Sequence, residues 1–142
     1  PAKPEEQRRA HERGGKEGEF EIVLSWSSRT DIDIYVTCPS GETIWALRLS
    51  ACGGTLDIDA NGSGNAKIDD PVEHVSFPSP PMGVFRIAVA NCEYDGPPEP
   101  FRVTVIHRGR VIHRVAGSAP VTPSRGTGCG VPQQVLEVRL PP

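Results

Sequence analysis

Two stretches of strict alternation constrain this chain more than anything else. In Phe20, Ile22, Leu24 and Trp26 apolar side chains fall on every second position, with Glu21 and Ser25 between them. In Ile32, Ile34, Val36 and Cys38 the same rhythm returns, interleaved with Asp31, Asp33, Tyr35 and Thr37. A period of two places one apolar and one polar face on an extended strand, and no helix satisfies it. The same pattern predicts further strands over 43–49 (with Trp45, Leu47 and Leu49 buried), around Leu56 and Ile58, and over 85–89. It also predicts a hairpin of 101–105 with 111–115, a final strand over 135–140, and a brief edge strand over 72–77. The 15 glycines and 15 prolines among 142 residues supply the turns between such short elements. The expected fold is an all-β antiparallel sandwich, Greek-key or jelly-roll-like, of seven to nine short strands.

Residues 1–18 are charged in both signs and almost without apolar side chains. A short helix over 5–13 is conceivable there, ended by Gly14 and Gly15, but the composition reads as a flexible linker leading into a single domain over 19–142. The chain opens on Pro1 without an initiator methionine or leader, which reads as an excised domain or mature fragment. No apolar run is long enough to span a bilayer. A net charge of -3 argues against a nucleic-acid partner.

Cys38, Cys52, Cys92 and Cys129 are widely spaced and form no C-x-x-C pair, which disfavours zinc. Two disulfides in an oxidising compartment are expected, the other reading being four unconnected buried thiols. Cys38 should pair with Cys52 across the Pro39-Ser40-Gly41-Glu42 turn, and Cys92 with Cys129.

The acidic residues are the strongest candidates for chemistry. Asp57-Ile58-Asp59-Ala60-Asn61-Gly62 reproduces the opening of a calcium loop, whose twelfth position is here Ile68 rather than a bidentate glutamate. Asp69, Asp70 or Glu73 could close a shell of another kind, joined by Asp31 and Asp33 if their strand lies alongside. Against calcium stands the reading of Asp57 and Asp59 as turn and edge residues bonded to backbone amides. His107 and His113 fall on opposite faces of a hairpin turning at Arg108-Gly109, His113 facing Thr104, so this register makes no metal pair, whereas a slipped one could. Arg102, Arg108, Arg110 and Arg114 form either a solvated basic hairpin or an anion-contacting patch. Motifs of hydrolases and phosphate-binding loops are absent, so no catalytic residue is assigned. Trp26 and Trp45 read as core, leaving Tyr35 and Tyr94 as the aromatics for a sugar.

Taken together, L-S-W, D-I-D-I-Y-V, P-S-G-E, G-G-T-L-D-I-D, V-E-H-V and G-V-F-R-I-A-V resemble a bacterial envelope domain family. Its pattern runs L-x-W, D-x-D-L-H-V, P-x-G-E, G-G-x-L-D-x-D, E-N-I and G-x-Y-x-V-x-V. The likeness covers residues 15–117; Tyr35, His74 and Phe85 stand where that pattern has His, Asn and Tyr. It implies a secreted, periplasmic or cell-surface protein, of a kind found with von Willebrand A modules and alpha-2-macroglobulin gene clusters. A more distant similarity is to bacterial pre-peptidase C-terminal domains. The function expected is a noncatalytic interaction or accessory domain with a protein or envelope-polysaccharide partner and a structural calcium ion. A carbohydrate-binding module and a hydrolase with a loop-built site are the alternatives.

Overall fold

The computed structural model describes residues 3–62, 67–92, 98–119 and 130–142. Among these, one helix, α1 (Glu5–Glu12), precedes ten strands. They are β1 (Phe20–Trp26), β2 (Ile32–Thr37), β3 (Thr43–Ile44), β4 (Ser50–Ala51), β5 (Gly54–Ile58), β6 (Val72–Phe77), β7 (Gly83–Asn91), β8 (Glu99–His107), β9 (Arg110–Ala119) and β10 (Gln133–Leu140). Two antiparallel sheets face each other as a sandwich. One has six strands in the order β4-β5-β6-β1-β8-β9, the other four in the order β10-β7-β2-β3.

The alternating residues behave as their period requires. Phe20, Ile22, Leu24 and Trp26 of β1 meet Ile32, Ile34 and Val36 of β2 and Phe85, Ile87 and Val89 of β7 in one continuous core. Phe20, Phe77 and Phe85 form its aromatic centre, with ring centroids 4.9–5.6 Å apart. Cys38 and Cys52 are joined, Cα atoms 6.7 Å apart, so the disulfide ties the end of β2 to the β4–β5 turn of the opposite sheet. Cys92 is also disulfide-bonded; its expected partner, Cys129, lies outside the described residues. No helix of the described residues is long and apolar enough to cross a membrane.

Four expectations need correction. First, the amino-terminal segment is not a free linker. Glu6, Gln7 and Ala10 of α1 are buried against the outer face of the six-stranded sheet, where Ala10, Val23, Val72 and Ile106 form a second small cluster. Glu5 and Glu6 complement the helix dipole in the first turn, Arg8–Glu12 and Arg9–Glu5 pair one turn apart, and Gly14 (φ +99°) ends the helix. Second, β6 is no edge strand: it lies between β5 and β1, and all six of its residues are buried. Third, the strand expected over 43–49 stops after two residues, so Ile44 points inward. Leu47 and Leu49 are 76% and 50% exposed, and Trp45 turns to the outside. Fourth, the β8–β9 hairpin does turn on Arg108 and Gly109, both at positive φ. A bulge between Val105 and Ile106, however, pairs His113 with Val105 rather than Thr104.

Candidate functional site

Strand β6 sets two ionisable clusters back to back. In the register with β1, Leu24 faces Glu73 and Val23 faces His74, so Glu73 enters the sandwich while His74 lies under α1. Both side chains are completely buried.

On the inner side, Glu73 reaches the open edge of the other sheet. Strand β3 pairs only with Val36 and Thr37. Further along β2, the amide of Ile34 donates to Glu73 Oε1 at 2.9 Å instead of to a neighbouring strand. Asp33 on β2 and Asp59, just past β5, converge there: one carboxylate oxygen from each of Asp33, Asp59 and Glu73 lies within 4.8 Å of the others. Asp31 adjoins Asp33 on its far side in the same way, together with Cys92, whose sulfur is committed to a disulfide and is no ligand. Burial, then the charges of Asp31 and Asp59, push the Asp33 carboxyl up to about 8. Burial, the close approach of Asp59 and the charge of Asp33 push Glu73 well above the usual carboxylate range. Tyr35 is raised to about 12 by burial and by the same acids. Like charges at such a distance repel by on the order of 3 kcal/mol per pair at an effective dielectric of about 20. The site therefore favours bound protons or a cation. Glu73 Oε2 is buried with no hydrogen-bond partner among the described residues.

Of the expected calcium residues the structure thus brings together Asp33, Asp59 and Glu73, sets Asp31 beside Asp33 in an overlapping cluster, and separates the other four. Asp57 and Asp59 would share the outer face of a regular strand opposite Leu56, but a bulge between Leu56 and Ile58 brings Asp59 to the inner side, turns Ile58 outward and leaves Asp57 outside as well. There it accepts hydrogen bonds from Ser76 Oγ (3.2 Å) and the Lys16 amide (2.9 Å) and contacts His74. Asn61 organises the loop: its Nδ2 donates to the carbonyls of Ser28 and Ile68, and its Oδ1 accepts from the Ile68 amide. Asp69 and Asp70 pair with Arg29 and Arg13, each at 2.9 Å, on the surface. Among the described residues, Asp57 and Asn61 of D-x-D-x-N-G thus do not converge with Asp59.

On the outer side, Glu21 Oε1 lies 2.7 Å from both His11 Nε2 and His74 Nε2, while His74 Nδ1 lies 2.6 Å from Asp57. Gln7 Nε2 donates to Glu21 Oε2 at 2.6 Å. Burial lowers the proton affinity of His74, but its bonds to Asp57 and Glu21 and their charges outweigh that and raise it to about 9. For Glu21, burial acts upward and the bonds from His74, His11 and Gln7 prevail, so its carboxyl is held below the usual range. Nearby, Arg114 Nε and Nη2 donate to Glu6 at 2.8 and 3.0 Å and Thr104 Oγ1 donates at 3.1 Å. Against the upward push of burial, these bonds and the Arg114 charge bring Glu6 down to about 2. Arg102 and Arg114 face Glu6 and Arg108 faces Glu19, so the basic hairpin is largely paired within the chain rather than free for an anion.

Sequence periodicity gave no reason to single out Glu6, His11 or Glu21, because polar faces normally meet water. One cue was present: Val23 breaks the alternation of β1, leaving Ile22-Val23-Leu24 continuous, as in a strand covered on both faces. Tyr35 and Trp45 stack on each other, centroids 5.2 Å apart and 22° between planes. Each ring covers the other instead of extending a flat sugar platform; Tyr94 lies outside the described residues. Comparison with known families, curated proteins and solved structures yields no match.

Proposed function

We propose that the chain is a noncatalytic accessory sandwich of an extracytoplasmic protein, akin to the bacterial envelope domains its motifs resemble. In this reading it carries a structural calcium ion on Asp31, Asp33, Asp59 and Glu73, and its partner is a protein or an envelope polysaccharide. The observation that carries the proposal is the convergence of the Asp33, Asp59 and Glu73 carboxylates between the sheets. Calcium takes six to eight oxygens in irregular geometry, and four carboxylates on two sheets and a loop suit it better than rigid octahedral magnesium. An ion there ties the open edge of β2 to β5 and β6, locking the sheets where β3 is too short to do so. The Cys38–Cys52 bridge supports an oxidising compartment.

Calorimetric titration of chelator-stripped protein with calcium chloride tests this. The expected result is a single site with Kd of about 10⁻⁴ to 10⁻³ M, abolished in Asp59→Asn, whose half-buried position tolerates the isosteric amide. No binding heat up to several millimolar calcium in the wild type would overturn it.

A further inference from the structure

The outer cluster has the composition and layout of a transition-metal centre, and we propose that His11, Glu21 and His74 bind a zinc ion that clamps α1 to the six-stranded sheet. The inference is independent of the calcium reading, since it uses the opposite face of β6.

Three observations support it. The first is convergence. One nitrogen from each imidazole and one Glu21 oxygen lie within 4.8 Å of each other, and both nitrogens point at the same oxygen from 2.7 Å. Zinc binds nitrogen and carboxylate oxygen at about 2.0–2.2 Å in tetrahedral geometry, which sets ligand atoms roughly 3.4 Å apart, so each nitrogen must draw away from the Glu21 oxygen by about 0.7 Å.

The second is the outer shell. In zinc sites a ligating histidine almost always gives its other ring N–H to a carboxylate or carbonyl, which fixes the tautomer. His74 Nδ1 has that partner in Asp57, at 2.6 Å. Gly15 allows the tight fit, because a Cβ there would stand 2.8 Å from His74 Nδ1. Glu21 is oriented in turn by Gln7. The carbonyl oxygen of that same carboxamide, Gln7 Oε1, is buried with no hydrogen-bond partner among the described residues. It is an unpartnered acceptor oxygen on the residue that already orients a ligand.

The third is enclosure. His74 is completely buried, and each of its ring nitrogens faces a carboxylate, Glu21 at 2.7 Å and Asp57 at 2.6 Å. A cation at the Glu21 side is thus shut off from water by α1 and held among two carboxylates.

The test is calorimetric zinc titration of the metal-stripped full chain, with cobalt(II) as a spectroscopic substitute. Expected are one zinc per chain and the visible bands of four-coordinate cobalt. His11→Ala, at a partly exposed helix position, should fold as judged by an unchanged far-UV spectrum. It should weaken zinc by more than the roughly 10–100-fold typical of outer-shell losses, and Asp57→Asn should fall within that range. Wild-type protein that takes up no zinc at 100-fold molar excess over chain, or a folded His11→Ala variant that binds zinc as tightly as wild type, would overturn the proposal. Since His107 and His113 lie on the β8–β9 hairpin outside the proposed ligand set, a site there would give the second result.

Discussion

Strands β1 and β6 are buried on both faces, yet the two faces are held by different physics. The inner face is apolar, Phe20, Ile22, Leu24 and Trp26 packing against the second sheet. The outer face is covered by a helix whose sole buried apolar residue is Ala10. That helix is held by Glu6, Gln7, His11 and Arg13 through hydrogen bonds and ion pairs to β1, β8, β9 and the 69–71 turn. Apolar burial gains free energy in proportion to area and tolerates imperfect geometry. A polar interface gains little net and loses heavily when one partner is removed. The apolar inner face should therefore dominate stability, and the response to pH, metal and single charge changes should be confined to the outer face and to the acids around Glu73.

The largest effect is expected inside. Trp26 is 5% exposed and its Nε1 donates to the Thr30 carbonyl at 2.8 Å. Trp26→Ala should cost roughly 3–5 kcal/mol or prevent folding, and urea melts at several pH values should show the loss to be independent of pH. Next comes the helix clamp. Because the folded pKa of Glu6 is lowered, from an ordinary value of 4.5 to about 2, its contribution is complete above pH 4.5 and disappears as pH falls through 2. Glu6→Gln should cost on the order of 2 kcal/mol at pH 7, after allowance for the half-exposed Arg114. The wild-type and variant melting curves should converge between pH 4.5 and 2; a constant gap would mean that packing, not charge, holds α1. The smallest effect is expected on the outside of the four-stranded sheet, where Trp45→Ala should cost no more than about 1 kcal/mol. A loss above about 3 kcal/mol would place Trp45 with the core after all.

The same contrast explains what the sequence could reveal. Period two identified β1, β2, β7 and the β8–β9 hairpin because burying one face of a strand demands it. It failed for α1, since a helix docked by charge has the composition of a solvated segment, and for 43–49, where a two-residue strand is too short to set a phase. At the site, each of Asp31, Asp33, Asp59 and Glu73 was visible as an acid near other acids. The sequence does not reveal the bulge at Asp57 that sends one carboxylate to the histidines and the next to Glu73. Nor does it show that β6 is central, the fact that makes Glu73 and His74 opposite-facing members of separate clusters.

The central claim is that the inner acids are a binding site and not a structural necessity, and one pair of melting curves tests it. Wild type and Glu73→Gln should be compared at pH 7 in chelator and in 2 mM calcium. Without calcium, removing one of the mutually repelling carboxyls should make the variant at least as stable as the wild type. With calcium, the wild type should gain about 1.8 kcal/mol for a Kd near 10⁻⁴ M, a rise of several degrees, and the variant should gain nothing. A Glu73→Gln protein less stable than wild type in chelator, with equal midpoints in both buffers for each, would contradict the claim and leave Glu73 as a cap for the Ile34 amide.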